Sequence, residues 1–235
     1  MPLRHKDTKV HKVYPLLIIA LLLTINIYGQ EKISFGLHAD PVISWFGSNI
    51  KDVHNEGSRP GFSFGLAFNR YFSQNYSFST GINLLTTGGR LAASDSTLLD
   101  LPNLSLDKST VAPEKPMVYK IQYVSIPLGL KLQTNQIGYL TFFSDIGIDP
   151  KVNIGGKLDI PSLGISRESA YTELRMFNLA YHITAGIEYG LGGNTAFIAG
   201  LGFENNFLDV TKENLNQPDD IITQKIISFR LGVKF

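Results

Sequence analysis

The sequence predicts an all-β fold: eight antiparallel strands wound into an up-and-down transmembrane barrel behind an N-terminal signal peptide. Three observations predict it. Eight segments alternate bulky apolar residues with small or polar ones, the connections between them alternate short with long, and a basic then apolar leader precedes them. At 235 residues, 43% apolar and 17% charged, the chain suits one domain and is too hydrophobic for disorder. Its 22 glycines and many aromatics favour pleated structure, where rings pack well and Gly marks turns and close backbone approach.

In the leader, Arg4, Lys6, Lys9 and Lys12 precede the apolar run LLIIALLLTINI, residues 16–27, which gives way to Tyr28, Gly29 and Gln30. That order is the basic region, apolar region and small-residue exit of a signal peptide, assigned to residues 1–29, with the barrel domain at 30–235. This 12-residue run, polar only at Thr24 and Asn26, falls short of the ~20 residues that a membrane-spanning helix needs. Removing the leader leaves 17 basic against 19 acidic residues, a net charge of −2, so no basic footprint for nucleic acid remains. Cysteine is absent, which excludes disulfides, thiolate metal sites, a Cys nucleophile and a lipid-modified N-terminal Cys.

The strands follow from period-two patterning. In GFSFGLAFNRYFS, residues 61–73, Phe62, Phe64, Leu66, Phe68 and Phe72 share one face, and Ser63, Gly65, Ala67 and Asn69 the other. In YSFSTGINLLTT, residues 76–87, Tyr76, Phe78, Ile82 and Leu84 oppose Ser77, Ser79, Gly81 and Asn83. In FNLAYHITAGIEYG, residues 177–190, Phe177, Leu179, Tyr181, Ile183, Ile187 and Tyr189 oppose Asn178, Ala180, His182, Thr184, Gly186 and Glu188. Similar segments run over about 33–46, 119–133, 138–149, 195–208 and 223–235, each long enough to cross a bilayer as a tilted strand of ~9–11 residues. Short turns fall at 73–75, 134–137 and 191–194, and long, polar loops at 47–60, 88–118, 150–176 and 209–222. That alternation puts the short turns and both ends of the barrel domain on one rim, the periplasmic one in an outer-membrane barrel.

The wet face follows from size. Eight strands enclose a space just wide enough for side chains, so rings from every strand cannot all point inward. Small residues therefore fill the lumen and large ones meet lipid. Lys131, Asp145, Asp149, Glu188, Glu204, Arg230 and Lys234 all lie on the small-residue face, as does His182. A central Lys or Arg on the lipid face costs ~2–4 kcal/mol, whereas lumenal charges can pair. The expected lumenal charge network comprises Lys131, Asp145, His182, Glu188, Glu204, Arg230 and Lys234. Arg70 is the exception, greasy-side but near a turn, where its stem reaches the interface. Rings near strand ends read as two girdles: Phe72, Tyr76, Tyr189 and Phe235 at the turns, Trp45, Tyr119, Phe177 and Phe207 at the loops. In IISFRLGVKF, residues 226–235, Phe229, Leu231, Val233 and Phe235 face lipid and form a candidate C-terminal insertion signal for the barrel-assembly machinery. Pro41 and Pro127 each delete a ladder donor and predict bulges or altered strand limits.

The segments YVSIPLGLKLQTNQIGYLTFF (123–143), AGIEYGLGGNTAFIAGLGFENNFLDV (185–210) and the final RLGVKF resemble the PorT-like family of small outer-membrane β-barrel proteins, of the porin-family barrel domain. The resemblance implies an integral barrel in the outer membrane of a diderm bacterium and, through PorT itself, an accessory role in type IX secretion. It supplies no catalytic residues.

Chemistry is weighed against packing at each candidate. His182 with Asp145, Glu188 and Glu204 suggests acid/base work, but a lipid-modifying triad must open to the lipid face, and His182 points inward. His38 and Asp40 form a two-ligand metal fragment with no third ligand specified. GLGGNT, residues 190–195, lacks the helix and Lys-Ser/Thr of a phosphate loop and reads as a hairpin turn. The expectation is a non-enzymatic barrel without cofactor or metal, its lumen filled by side chains, embedded in outer-membrane lipid. Loops 88–118 and 150–176 are expected to contact an envelope protein. A lipid-modifying outer-membrane enzyme and a soluble ligand-binding barrel are the alternatives.

Overall fold

The structure, a computed structural model, describes residues 33–99, 101–102, 110–212 and 220–235. The expected signal peptide lies outside the described residues. Among the described residues thirteen strands form: β1 (Ile33–Ser48), β2 (Val53–Gly57), β3 (Arg59–Ser73), β4 (Tyr76–Ala93), β5 (Thr97–Leu98), β6 (Thr110–Val111), β7 (Met117–Ser125), β8 (Leu128–Gln133), β9 (Leu140–Ile160), β10 (Ile165–Ser169), β11 (Phe177–Gly192), β12 (Thr195–Asn206) and β13 (Ile222–Lys234). All pairings are antiparallel. The ring runs β1, β3, β4, then β7 with β8, then β9, β11, β12 and β13, and β13 pairs with β1 from Gly36 opposite Lys234 to Ser48 opposite Ile222. Counting β7 and β8 as one interrupted strand, the barrel has eight. Closure leaves the ring without a free edge.

Facing follows the sequence pattern. Phe64 and Phe229 are 49% and 46% exposed on the outer wall, whereas Glu188 and Lys131 inside are 2% and 5% exposed. The tight turns form where expected. β3 joins β4 through Gln74 and Asn75, and β11 joins β12 through Gly193 and Asn194, with Gly193 at φ 59°, a conformation Gly adopts without a Cβ clash.

The two prolines interrupt pairing without shifting it. Ser125 opposes Asn83 and Leu128 opposes Thr80, so β7 and β8 continue one register across Pro127. At Pro41 the β1–β13 register is likewise the same on both sides, with His38 opposite Gly232 and Val42 opposite Ser228. There the Leu231 N–H donates to the Asp40 carboxylate at 3.3 Å, which replaces part of the ladder. The expected bulge occurs instead in β9: Gln122 opposes Gly155 while Tyr123 opposes Asn153, leaving Ile154 as the extra residue. Inward residues of β9 are odd-numbered up to the buried Asn153 and even-numbered at the buried Leu158 and Ile160.

Strands at the loop end run further than the sequence pattern marks. β4 reaches Ala93 and β9 reaches Ile160, so much of the expected loops 88–118 and 150–176 is sheet. This taller wall encloses an apolar cluster that includes Phe46, Leu85, Tyr119, Ile121, Leu158, Leu174 and Ile222. Tyr119, expected in the outer girdle, is instead 3% exposed inside, edge-on to Phe46 at 6.0 Å between centroids. It belongs to the inward parity of β7, whose even residues face out. Trp45 is half-buried, and the other six expected girdle rings are exposed.

Candidate functional site

The interior divides into a charged half near the turns and an apolar half near the loops. In the charged half, glycines make room for side chains that cross the bore. A Cβ on Gly129 would lie 2.5 Å from the Asp145 carboxylate and 2.6 Å from Ser79 Oγ, and one on Gly147 would lie 2.8 Å from His182 Cε1. The small-residue face is thus the space the lumenal groups occupy.

Those groups fall into four clusters. At the turn rim, Lys131 Nζ donates to Glu188 Oε1 at 2.6 Å and Lys234 donates to the other carboxylate oxygen. In the middle, His182 is hydrogen-bonded to Asp149 at 2.9 Å and lies 3.6 Å from Asp145, which accepts from Ser79 Oγ at 2.7 Å. Against β1, Asp40 receives the His38 ring at 2.8 Å and Arg230 Nε at 3.4 Å, and the far nitrogen of His38 lies 3.1 Å from Asn83 Oδ1. Below the apolar half, Lys151 pairs with Glu204, donates to Asn206 Oδ1 at 3.2 Å, and sits over the Tyr123 ring. Buried charges are tolerated only with such partners.

Every residue of the expected network lies on the inner wall, but not in one network: Glu188 joins Lys131 and Lys234, whereas Arg230 pairs with Asp40 and Glu204 with Lys151. Lys151 lies beyond the segment that the sequence pattern marks, which ends at Asp149, whereas β9 continues to Ile160. Two further residues of alternation would have found it. The His38–Asp40 metal fragment is instead a hydrogen-bonded link to Asn83 and Arg230. On the loop rim, His54 lies 3.1 Å from Glu56 and 3.2 Å from Glu114, an open surface cluster. One lumenal cavity, about 90 Å³, is lined among others by His38, Asp40, Lys131, Asp145, His182 and Arg230, and a second, about 240 Å³, opens at the turn rim beside Glu188 and Lys234.

Above the charges the bore is filled by hydrocarbon. Phe46 packs where Gly89 has no side chain, and Leu174 occupies the space above Gly156. Leu174 comes from the 170–176 segment, which folds back over the barrel end and bridges to Thr211. Asp209 fastens this lid: its carboxylate accepts the N–H groups of Thr211 at 3.1 Å and Ile222 at 2.9 Å, and lies 3.5 Å from Arg175. Burial, with Glu173 and Asp220 nearby, raises the Tyr119 phenol well above its ordinary value. Outside the wall, partial burial of Asp159 acts to raise its pKa, but the Arg167 N–H and Lys120 outweigh it and hold the carboxyl below the usual range.

The family model described as "Outer membrane protein beta-barrel domain" matches residues 28–212. No curated protein matches the chain significantly. Among solved structures, Neisserial surface protein A is similar at 13% identity and a TM-score of 0.48, over 87% of this chain and 98% of that one. Ail of Yersinia pestis, in complex with the heparin analogue sucrose octasulfate, follows at 12% identity and 0.42, over 87% and 99%. OprG of Pseudomonas aeruginosa gives 10% identity and 0.41, over 88% and 98%, and the protease OmpT of Escherichia coli gives 11% and 0.39, over 87% and 95%. Likenesses this distant carry nothing about activity.

Proposed function

Because the chain belongs to the outer membrane protein beta-barrel domain family, we propose that it is a non-enzymatic integral barrel of the outer membrane, closed to solute flow, whose loop end contacts a partner. The observation that carries this reading is the double obstruction of the bore, by paired charges in one half and by packed hydrocarbon under a tied-down lid in the other. A lumen filled in this way is a rigid scaffold, and function then resides in the connections it displays. His182 is enclosed by Asp145 and Asp149 in the lumen, away from the lipid face a lipid-modifying triad needs. The turn rim, with the end of β13, faces the periplasm in this reading, and Phe229, Leu231, Val233 and Phe235 serve assembly.

Planar-bilayer recording of the purified full chain tests closure. No steady conductance is expected; a large, stable pore overturns the reading. Crosslinking from the 88–118 and 150–176 segments in intact cells should capture an envelope protein. The narrower role that rests on resemblance to the PorT-like family, a secretion accessory, predicts that deletion abolishes export of secreted cargo.

A further inference from the structure

One place on the outer wall gathers cations in a single transverse row. Across β4, β7, β9 and β10, Gly88 opposes Lys120, Lys120 opposes Lys157, and Lys157 opposes Ser169. Gly88 contributes no side chain, and Arg59 covers it: Arg59 Cδ lies 3.3 Å from where a Cβ would stand, and its guanidinium donates to the Tyr119 carbonyl at 3.3 Å. Arg90 adds a fourth positive charge two residues further along β4. Asp159 lies 3.1 Å from Lys120, and among the described residues neither Lys157 nor Arg90 has an ion pair. Two lysines directly opposed across a ladder are destabilising unless an anion lies between them. Thr86, Gln122, Ser169 and Tyr171 line the same recess, about 380 Å³ in volume, and supply neutral donors.

Its height on the wall identifies the anion. The row Leu84, Val124 and Val152 is apolar, with Leu84 53% exposed; next comes Thr86, Gln122 and Gly155; then the lysine row. Four residues of strand at ~3.3 Å each, tilted by ~40°, raise the lysines roughly 10 Å above the last apolar row. Headgroups begin there, outside a hydrocarbon core about 30 Å thick, and lysine stems reach back towards the interface. The Ile154 bulge makes the arrangement possible, because it turns Lys157 outward.

We propose that this recess binds the phosphate of an anionic lipid headgroup in the outer leaflet. Arg59, Lys120 and Lys157 surround the phosphate oxygens, with charge-assisted hydrogen bonds as the source of affinity. The inference rests on the outer-membrane placement proposed above.

The test is native mass spectrometry of the full chain in nanodiscs doped with diphosphorylated lipid A, dephosphorylated lipid A, or neither plus inorganic phosphate. Retention of the diphosphorylated lipid is expected, with a loss of about tenfold or more in the Lys120→Gln/Lys157→Gln double variant. The Lys51→Gln variant, elsewhere on the rim, should bind as the unmodified chain does. Equal retention of dephosphorylated lipid A, or unchanged retention by the double variant with heat-modifiable gel mobility intact, overturns the proposal. Capture of inorganic phosphate as tightly as the lipid overturns the lipid source. Failure of the chain to enter nanodiscs while staying monodisperse without detergent instead overturns the membrane reading itself.

Discussion

The two halves of the bore are blocked by opposite chemistry, and they should fail in opposite ways. Near the turns, each charge is held by one or two named partners, so removing one side chain strands another inside the wall. Near the loops, each side chain of the plug touches many others, so a loss scales with the volume removed. The charged half is brittle and specific, whereas the apolar half degrades gradually.

The sharpest way to break that contrast is Glu188→Leu, which leaves Lys131 and Lys234 without their shared carboxylate. A loss of ~3–5 kcal/mol in denaturant unfolding, read by heat-modifiable mobility, is expected. The Lys131→Met/Glu188→Leu pair should recover much of it; a purely additive double variant would show that the contact contributes little. In the plug, Leu158→Ala should cost ~2–5 kcal/mol and Ile121→Val ~0.5–1.5 kcal/mol, and because these losses arise from packing they should be insensitive to salt. A strong salt dependence there would erase the distinction between the halves. The smallest effect belongs to Asp159, whose carboxyl is held low by the Arg167 N–H and Lys120 against its partial burial. A depressed carboxyl contributes stability that is present above its unfolded pKa and disappears as pH falls through the folded one. A small acid-side loss below about pH 4 should therefore be absent from Asp159→Asn.

Much of the ring was legible because a barrel in lipid has one strong rule, bulky out and small in, which any strand of a dozen residues repeats often enough to read. Phe64 outside and Ser63 inside obey it, and Glu188 and Arg230 follow the small residues inward because lipid excludes charge. The plug was less legible because at the loop end both faces turn apolar: Ile226 and Ile227 are adjacent, one buried inside and the other exposed. Alternation of size then carries no direction. Tyr119 was misplaced for the same reason, since a ring at a strand end fits either a girdle or a core. Partner choice among the lumenal charges was not legible either, because facing is local while pairing depends on register between distant strands, as when Asp40 meets Arg230 across the closing seam.

The extra residue at Ile154 works as a phase switch in the wall. Upstream of it odd positions look inward; downstream, even ones do. Were Ile154 drawn into the ladder as an ordinary paired residue, the remainder of β9 would turn by half a period, carrying Leu158 and Ile160 out of the plug and pushing Lys157 and Asp159 into it. One residue standing out of the ladder therefore holds the boundary between a wall built for acyl chains and one built for the world beyond them.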